Sequence, residues 1–246
     1  IQADLKVFFA LGCHGTSALT ALTAQNTLGV TGIHEVPPEF VVQQIEAVRG
    51  DMGVDALKTG MLSSAPIIEA VAACVPSLDA PLVVDPVFVS KHGDPLLAAD
   101  AVDALRNSLL PLAAVVTPNL HEASALVDEE IESVEDMRRA AKALVGLGPQ
   151  VALVKGGHLG GDKAVDVYFD GTEFHELEGP RYATKDTHGT GCALAAAITA
   201  NLAKGATPLD AVVAAKGFVA GAIRAGLRVG KGYGPVNVGW NVRTSG

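Results

Sequence analysis

The chain has 246 residues, 49% of them apolar, 18% charged and only 4% aromatic, which excludes a disordered chain and requires a core built from Ala, Val, Leu and Ile. Eighteen Lys and Arg against 27 Asp and Glu leave a net charge of −9, so nucleic acid is not the expected partner, because such binding rests on basic stripes that release counterions. No apolar run reaches the ~18 residues needed to span a bilayer, and Cys13, Cys74 and Cys192, with no C-x-x-C pair and no secretory h-region, point to a reducing cytoplasm without a disulfide or zinc framework.

In chain order, residues 3–11 read as a helix with Asp4 in its first turn and Gly12 as its stop. Residues 18–24 form a β-capable run ending in Gln25-Asn26-Thr27, and Pro37-Pro38 opens a helix to about Arg49. A short strand over 55–58, a helix over 66–74 and a buried strand over 81–84 follow, the last running into Asp85-Pro86. Residues 96–109 read as helix, 113–116 as a strand ending in Thr117-Pro118-Asn119, and 121–127 and 132–146 as helices. The strand over 150–154 ends in Lys155-Gly156-Gly157-His158, and two antiparallel strands, 164–169 and 173–177, flank an Asp170-Gly171 turn. Helices over 190–202 and 208–226 come last, and their many exposed-looking Ala and Val positions would suit a homodimer face. The alternation predicts one α/β domain over 1–246, a doubly wound, mostly parallel sheet with an antiparallel edge hairpin, with ligands at the carboxyl ends of the strands.

The sharpest local signal is Asp186-Thr-His-Gly-Thr-Gly-Cys192 directly before an Ala-rich helix. Glycines and small polar residues at a helix start leave backbone N–H groups unpaired at the positive end of the dipole, which makes an anion hole; taken alone, such glycines also serve as a plain tight turn. The GxxxxGK[ST] spacing of a P-loop is absent. Cys192, in the first turn, is placed where a thiolate is favoured and can act as base or nucleophile, or else is a small buried hydrophobe. Lys155 at a strand end sets a cation beside a phosphate chain, and Asp85 and Glu122 are carboxylates able to hold Mg²⁺ directly or through water, or to serve as turn and helix-start residues. Together the set suggests phosphoryl transfer from a Mg-nucleotide outside the P-loop class.

Lys58-Thr-Gly-Met-Leu62, Val84-Asp-Pro-Val87, Thr117-Pro-Asn-Leu-His-Glu-Ala123, Val154-Lys-Gly-Gly-His158 and His188-Gly-Thr-Gly-Cys192, with Ile1-Gln-Ala-Asp-Leu-Lys6 and the stretch Ala18 to Thr27, stand in one order from residue 1 to about Gly234. In this the chain resembles the hydroxymethylpyrimidine and phosphomethylpyrimidine kinases of thiamine biosynthesis, which have the ribokinase-like fold. The resemblance implies Cys192 as catalytic base, with Gly189, Thr190, Gly191 and the Cys192 N–H forming the hole for the transferring phosphoryl group. It implies Asp4, Thr23, Gln25 and Met61 in the pyrimidine pocket, Asn119, Lys155, Gly156 and Gly157 at the phosphates of ATP, and Asp85 and Glu122 near Mg²⁺. In the related sugar kinases the position of Cys192 is usually Asp, so the cysteine points toward the vitamin kinases.

Some features depart from that pattern. The family's glycine-rich first strand and loop would precede Ile1, so the sequence reads as truncated there. His14 stands where Tyr is common, Lys91-His92-Gly93 replaces a Ser-rich loop, and the tail from Val238 carries no motif, as if a fused partner domain had been removed. A pyridoxal or pyridoxine kinase of the same lineage is the closest rival, against which Gln25-Asn26 favours the pyrimidine; a non-catalytic pyrimidine-binding relative would not need Lys155, Asp85, Glu122 and Cys192.

Overall fold

The two faces of the central sheet are built from alternate residues of the same short strands. In the computed structural model, which describes residues 1–242 other than 90–92, 94–95, 99, 158 and 160–162, six strands lie in sequence order: β3 (Leu57–Thr59), β4 (Leu82–Val84), β5 (Val115–Val116), β6 (Val151–Lys155), β7 (Lys163–Phe169) and β8 (Phe174–Pro180). The first four are parallel and β7 and β8 run antiparallel at one edge, as the alternation of elements predicts. Val84, Val116, Ala152, Val154 and Val167 enter one apolar cluster, whereas Val83, Val115, Val151, Leu153 and Tyr168 enter the other, the period of two that a strand imposes.

Helices α3 (Ala65–Cys74), α4 (Ala101–Ala104), α5 (Leu120–Val127) and α6 (Val134–Gly146) supply the first cluster, with Val41 of α2 (Pro38–Asp51). The second face is covered from both ends of the chain, by α1 (Gln2–Ala10), α7 (Thr190–Ala203) and α8 (Pro208–Arg224). Residues Ala193 to Ala200 of α7 are all buried, because alanines let a helix lie close to a flat Val-rich sheet. The Ala and Val positions of the last helices are therefore mostly internal: on α8, Ala211, Val212, Ala215, Val219 and Ala222 are buried and Val213 is the large exposed one.

Two expectations are corrected. The strand at 18–24 is β1 (Ala21–Asn26), and it pairs with an unforeseen antiparallel β2 (Gly29–Glu35) to form a separate two-stranded ribbon with a bulge at Ala24 and Gln25. The helix expected from residue 96 starts only at Ala101 and passes into a π-helical turn over Leu105–Leu109, since the preceding backbone is held by Leu96 N–H to Phe88 O at 2.8 Å and Ala98 N–H to Ser63 O at 2.8 Å. The tail beyond Val238 packs onto α8, where Trp240 Nε1 donates to Phe218 O at 3.0 Å and the indole lies over Gly221, whose missing side chain makes the room. The Lys91 and His92 of the variant loop lie outside the described residues, as does His158.

The segment after α8 joins distant parts of the molecule. Tyr233 N–H donates to Thr27 O in the β1–β2 turn at 2.9 Å, His188 N–H to Gly234 O at 3.0 Å, and Val236 N–H to His188 O at 3.1 Å. A side chain at Gly232 would stand 1.7 Å from Thr27 O, so the ribbon is sewn to the loop before α7 by backbone that admits no Cβ. Among the described residues no helix is long and apolar enough to cross a membrane.

Candidate active site

Each parallel strand delivers its polar residue to one rim. Asp85 N–H donates to Thr59 O at 3.1 Å, Thr117 N–H to Val84 O at 2.9 Å and Lys155 N–H to Pro118 O at 2.9 Å, so the ends of β3 to β6 stand in register. Against them sits the start of α7. A Cβ at Gly191 would lie 3.3 Å from Lys155 Nζ and 4.0 Å from both Asp85 oxygens, so cation and carboxylate stand close against the first turn.

Gly189 caps α7 in the left-handed conformation at φ 81°, with no side chain covering the first turn. Of the four residues expected in the anion hole, Thr190 is already used: its N–H and hydroxyl both donate to Thr187 O, at 3.3 and 2.7 Å. The amides of Gly191 and Cys192 keep no protein acceptor among the described residues and carry the positive end of the dipole.

Asp85 is 2% exposed; its Oδ1 accepts from Lys155 Nζ at 3.3 Å and from Thr117 Oγ1 at 3.4 Å, while Oδ2 makes no hydrogen bond within normal distance. Burial pushes its carboxyl up, but Lys155 and Lys58, with the hydrogen bond from Lys155 and the nearby Cys192 thiol, outweigh burial and hold it below the ordinary value. A second buried pair, Lys58 with Asp4 Oδ2 at 3.2 Å, lies beside it, and Asp4 Oδ1 is buried without a partner. Lys58 is held above its usual value because Cys192, Asp4 and Asp85 together outweigh its desolvation.

These charges correct the expected state of Cys192. Burial first, then Asp85 and Asp4, push its thiol up to about 11 against the opposing pull of Lys58; the helix N-terminus does not make it a thiolate at neutral pH. In this arrangement the proton sits on sulfur and the negative charge on Asp85.

Asn119 and Glu122 form the capping box of α5, Glu122 N–H donating to Asn119 Oδ1 at 2.9 Å and Asn119 N–H to Glu122 Oε2 at 2.8 Å. Burial, relieved in part by Lys155 but aggravated by Asp85, pushes the Glu122 carboxyl up to about 7. The fold thus favours the protonated form, so the Glu122 contribution to stability is full below the ordinary carboxylate value near 4.5 and is lost as pH rises toward 7. Glu122→Gln keeps the acceptor of the capping box and removes the charge; between pH 5 and 8 the wild type is expected to lose about 2–3 kcal/mol relative to this variant, read by denaturant unfolding at several pH values.

Gly156 and Gly157 differ in what surrounds them. A Cβ at Gly156 would strike Val165 O at 2.0 Å, so its close approach is to β7, whereas Gly157 has open space around it. Thr23 and Gln25 are exposed on β1, and with Asp4 and half-buried Met61 they line the same cleft as Lys58, Asp85, Lys155 and Cys192. His14 is exposed at its border. Sequence reasoning gave no role to Lys58, although it lies within a quoted motif, and gave no sign of Asp166 and Lys216, whose ion pair reaches Gly156.

An open helix start, with a lysine and a carboxylate at the strand ends and a second carboxylate in the first turn of α5, defines a small-molecule kinase of the ribokinase-like class. The chain belongs to the phosphomethylpyrimidine kinase family, which it matches over residues 1–237. A hydroxymethylpyrimidine/phosphomethylpyrimidine kinase of Streptomyces coelicolor is 55% identical over 98% of this chain and 89% of that protein. Among solved structures, a Bacillus subtilis pyridoxal kinase in complex with ADP superposes with a TM-score of 0.91 at 38% identity, covering 99% of this chain and 93% of that one. A phosphomethylpyrimidine kinase from Clostridium difficile 630 gives 0.79 at 39% identity, with 89% and 90% covered.

Proposed function

We infer that this chain, as one ribokinase-like domain, phosphorylates the hydroxymethyl group of 4-amino-5-hydroxymethyl-2-methylpyrimidine with ATP, then the resulting monophosphate to the diphosphate, in thiamine biosynthesis. The observation that carries the reading is the convergence of Lys155, Asp85 and Cys192 on the open amides of Gly191 and Cys192. Phosphoryl transfer passes through a loose transition state, so positioning and charge stabilisation are what a protein must supply. The amides and Lys155 receive the transferring group, with Gly156, Gly157 and Asn119 along the nucleotide phosphates. Cys192 accepts the substrate's hydroxyl proton late, as a thiolate; its thiol is protonated at rest, so that proton leaves to solvent before the transfer, and Lys58 is the charge that favours the thiolate.

Mg²⁺ keeps several waters and takes one or two carboxylates plus phosphate oxygens. The unpartnered Asp85 Oδ2 fits that demand directly, whereas Glu122, engaged by backbone N–H groups, fits it through water. Bound there with nucleotide, the cation would neutralise charge on the phosphates.

The buried, unpartnered Asp4 Oδ1 asks for an N–H donor, which the exocyclic amine of the pyrimidine offers, and the Gln25 amide pairs with ring nitrogen and amine. Gln25→Leu is expected to lower kcat/KM for the pyrimidine by about tenfold or more through unpaired polar atoms, with KM for ATP unchanged in steady-state assays. The structural likeness to pyridoxal kinases supports a second reading, pyridoxal phosphorylation at the same site. Mass-spectrometric analysis of products from Mg-ATP with the hydroxymethylpyrimidine, its monophosphate and pyridoxal separates them: pyrimidine diphosphate establishes both steps, and pyridoxal phosphate alone overturns the substrate assignment.

The free cysteines suit a reducing cytoplasm. For a homodimer, the support shifts from the last helices to the ribbon, which exposes Leu22, Leu28 and Ile33; a lone two-stranded ribbon is marginal in water unless something packs against it.

A further inference from the structure

The segment Lys155-Gly156-Gly157 is held by a charge pair that no part of the reaction described so far uses. Gly156 N–H donates to Asp166 Oδ1 of β7 at 3.0 Å, and the other oxygen of that carboxylate accepts from Lys216 Nζ of α8 at 2.5 Å. Both side chains are largely buried, 12% exposed for Asp166 and 18% for Lys216. The stem of Lys216 passes β8 at Gly179, where a Cβ would stand 3.0 Å from Cε. A neutral acceptor would satisfy an amide; a buried carboxylate requires a cation, and the fold brings one from a helix 50 residues further along the chain.

The arrangement fixes the end of β6 from both sides. Lys155 N–H is bound to Pro118 O and Gly156 N–H to Asp166, while Gly156 itself lies against Val165 O. Beyond it, Leu159 N–H closes a turn onto Gly156 O at 3.0 Å, and Arg181 bonds to the carbonyls of Gly157 and Leu159. Between these anchors the Lys155 ammonium is aimed at Asp85 and the first turn of α7. Asp166 and Lys216 also line the cleft.

We propose that the Asp166–Lys216 pair is a positioning device that sets the affinity for Mg-ATP by fixing the Lys155-Gly156-Gly157 backbone against β7. The proposal rests on the reading of that segment as the site of the nucleotide phosphates.

The test uses Lys216→Met, Lys216→Arg and Asp166→Asn in the full chain, with kcat, KM for Mg-ATP, KM for the hydroxymethylpyrimidine and thermal midpoint measured for each. Lys216→Met is expected to raise KM for Mg-ATP about tenfold, with KM for the pyrimidine within about twofold, because a small misplacement of a binding segment costs one substrate and not the other. Lys216→Arg, which restores a cation, is expected to return KM for Mg-ATP to within about threefold of wild type. If Lys216→Met does not fold, Asp166→Asn reads the same effect, since it keeps an oxygen for Gly156 but loses the charge. An unchanged KM for Mg-ATP in a folded variant overturns the proposal, as does a parallel change of both KM values that arginine does not rescue. Wild-type enzyme that turns over nothing with Mg-ATP removes the underlying reading instead.

Discussion

Alanine in place of Cys192 is expected to lower kcat by about 10²–10⁴-fold, the range of a single general acid–base group, while KM for the pyrimidine changes little. The expectation follows from where the sulfur sits: in the first turn of α7, among Lys58, Asp4 and Asp85, and not in either apolar cluster. A second measurement checks the charge state. With Cys13 and Cys74 replaced by serine, iodoacetamide labelling of Cys192 should be slow at pH 7 and still rise about tenfold per pH unit beyond pH 9, because only the thiolate reacts. A labelling rate that levels off below pH 8 would contradict a thiol held near 11, and unchanged turnover in the alanine variant would remove Cys192 from the chemistry.

Methionine in place of Lys155 has the second large effect, and here stability and activity must be separated. Lys155 and Asp85 form a pair whose carboxylate is only 2% exposed, and removing one member of a buried pair leaves an uncompensated charge at a cost of about 3–5 kcal/mol. Lys155→Met is therefore expected to be both strongly destabilised and at least about 10³-fold slower, as for loss of a phosphate-directed cation. Lys155→Met combined with Asp85→Asn is expected to recover most of the lost stability and none of the lost turnover. Recovery of turnover in the double variant would show that Lys155 serves only to neutralise Asp85.

Three of the four parallel strands, β4 to β6, were legible because each is an apolar run buried on both faces that stops at a polar residue: Val84 then Asp85, Val116 then Thr117, Val154 then Lys155. The ribbon strand β2 was not, since Gly29-Val-Thr-Gly-Ile-His-Glu is exposed along most of its length and so carries no alternation between inside and outside. The π-helical turn over Leu105–Leu109 escaped as well, since its leucines fit an ordinary helical period. Motifs single out the candidate site positions, but the proton on Cys192 depends on charges from α1, β3 and the end of β4, and no local pattern sums them. Lys216 was hidden in another way: it is one lysine in an Ala- and Val-rich helix, where long cations ordinarily reach for solvent.

The covering of the second sheet face from both ends of the chain has a consequence for how the protein is made. Strands β3 to β6 and the helices between them are complete by residue 155, yet Val83, Val115, Val151 and Leu153 face α1, α7 and α8. A ribosome making this chain therefore releases a sheet whose second face has only α1 to cover it until residues 190–224 emerge. The closing contacts are among the most distant in sequence, such as Tyr233 to Thr27 and Lys204 to Leu11, and contacts of long separation form slowly. The candidate rim is therefore completed only when the start of α7 packs against the strand ends that were made long before it.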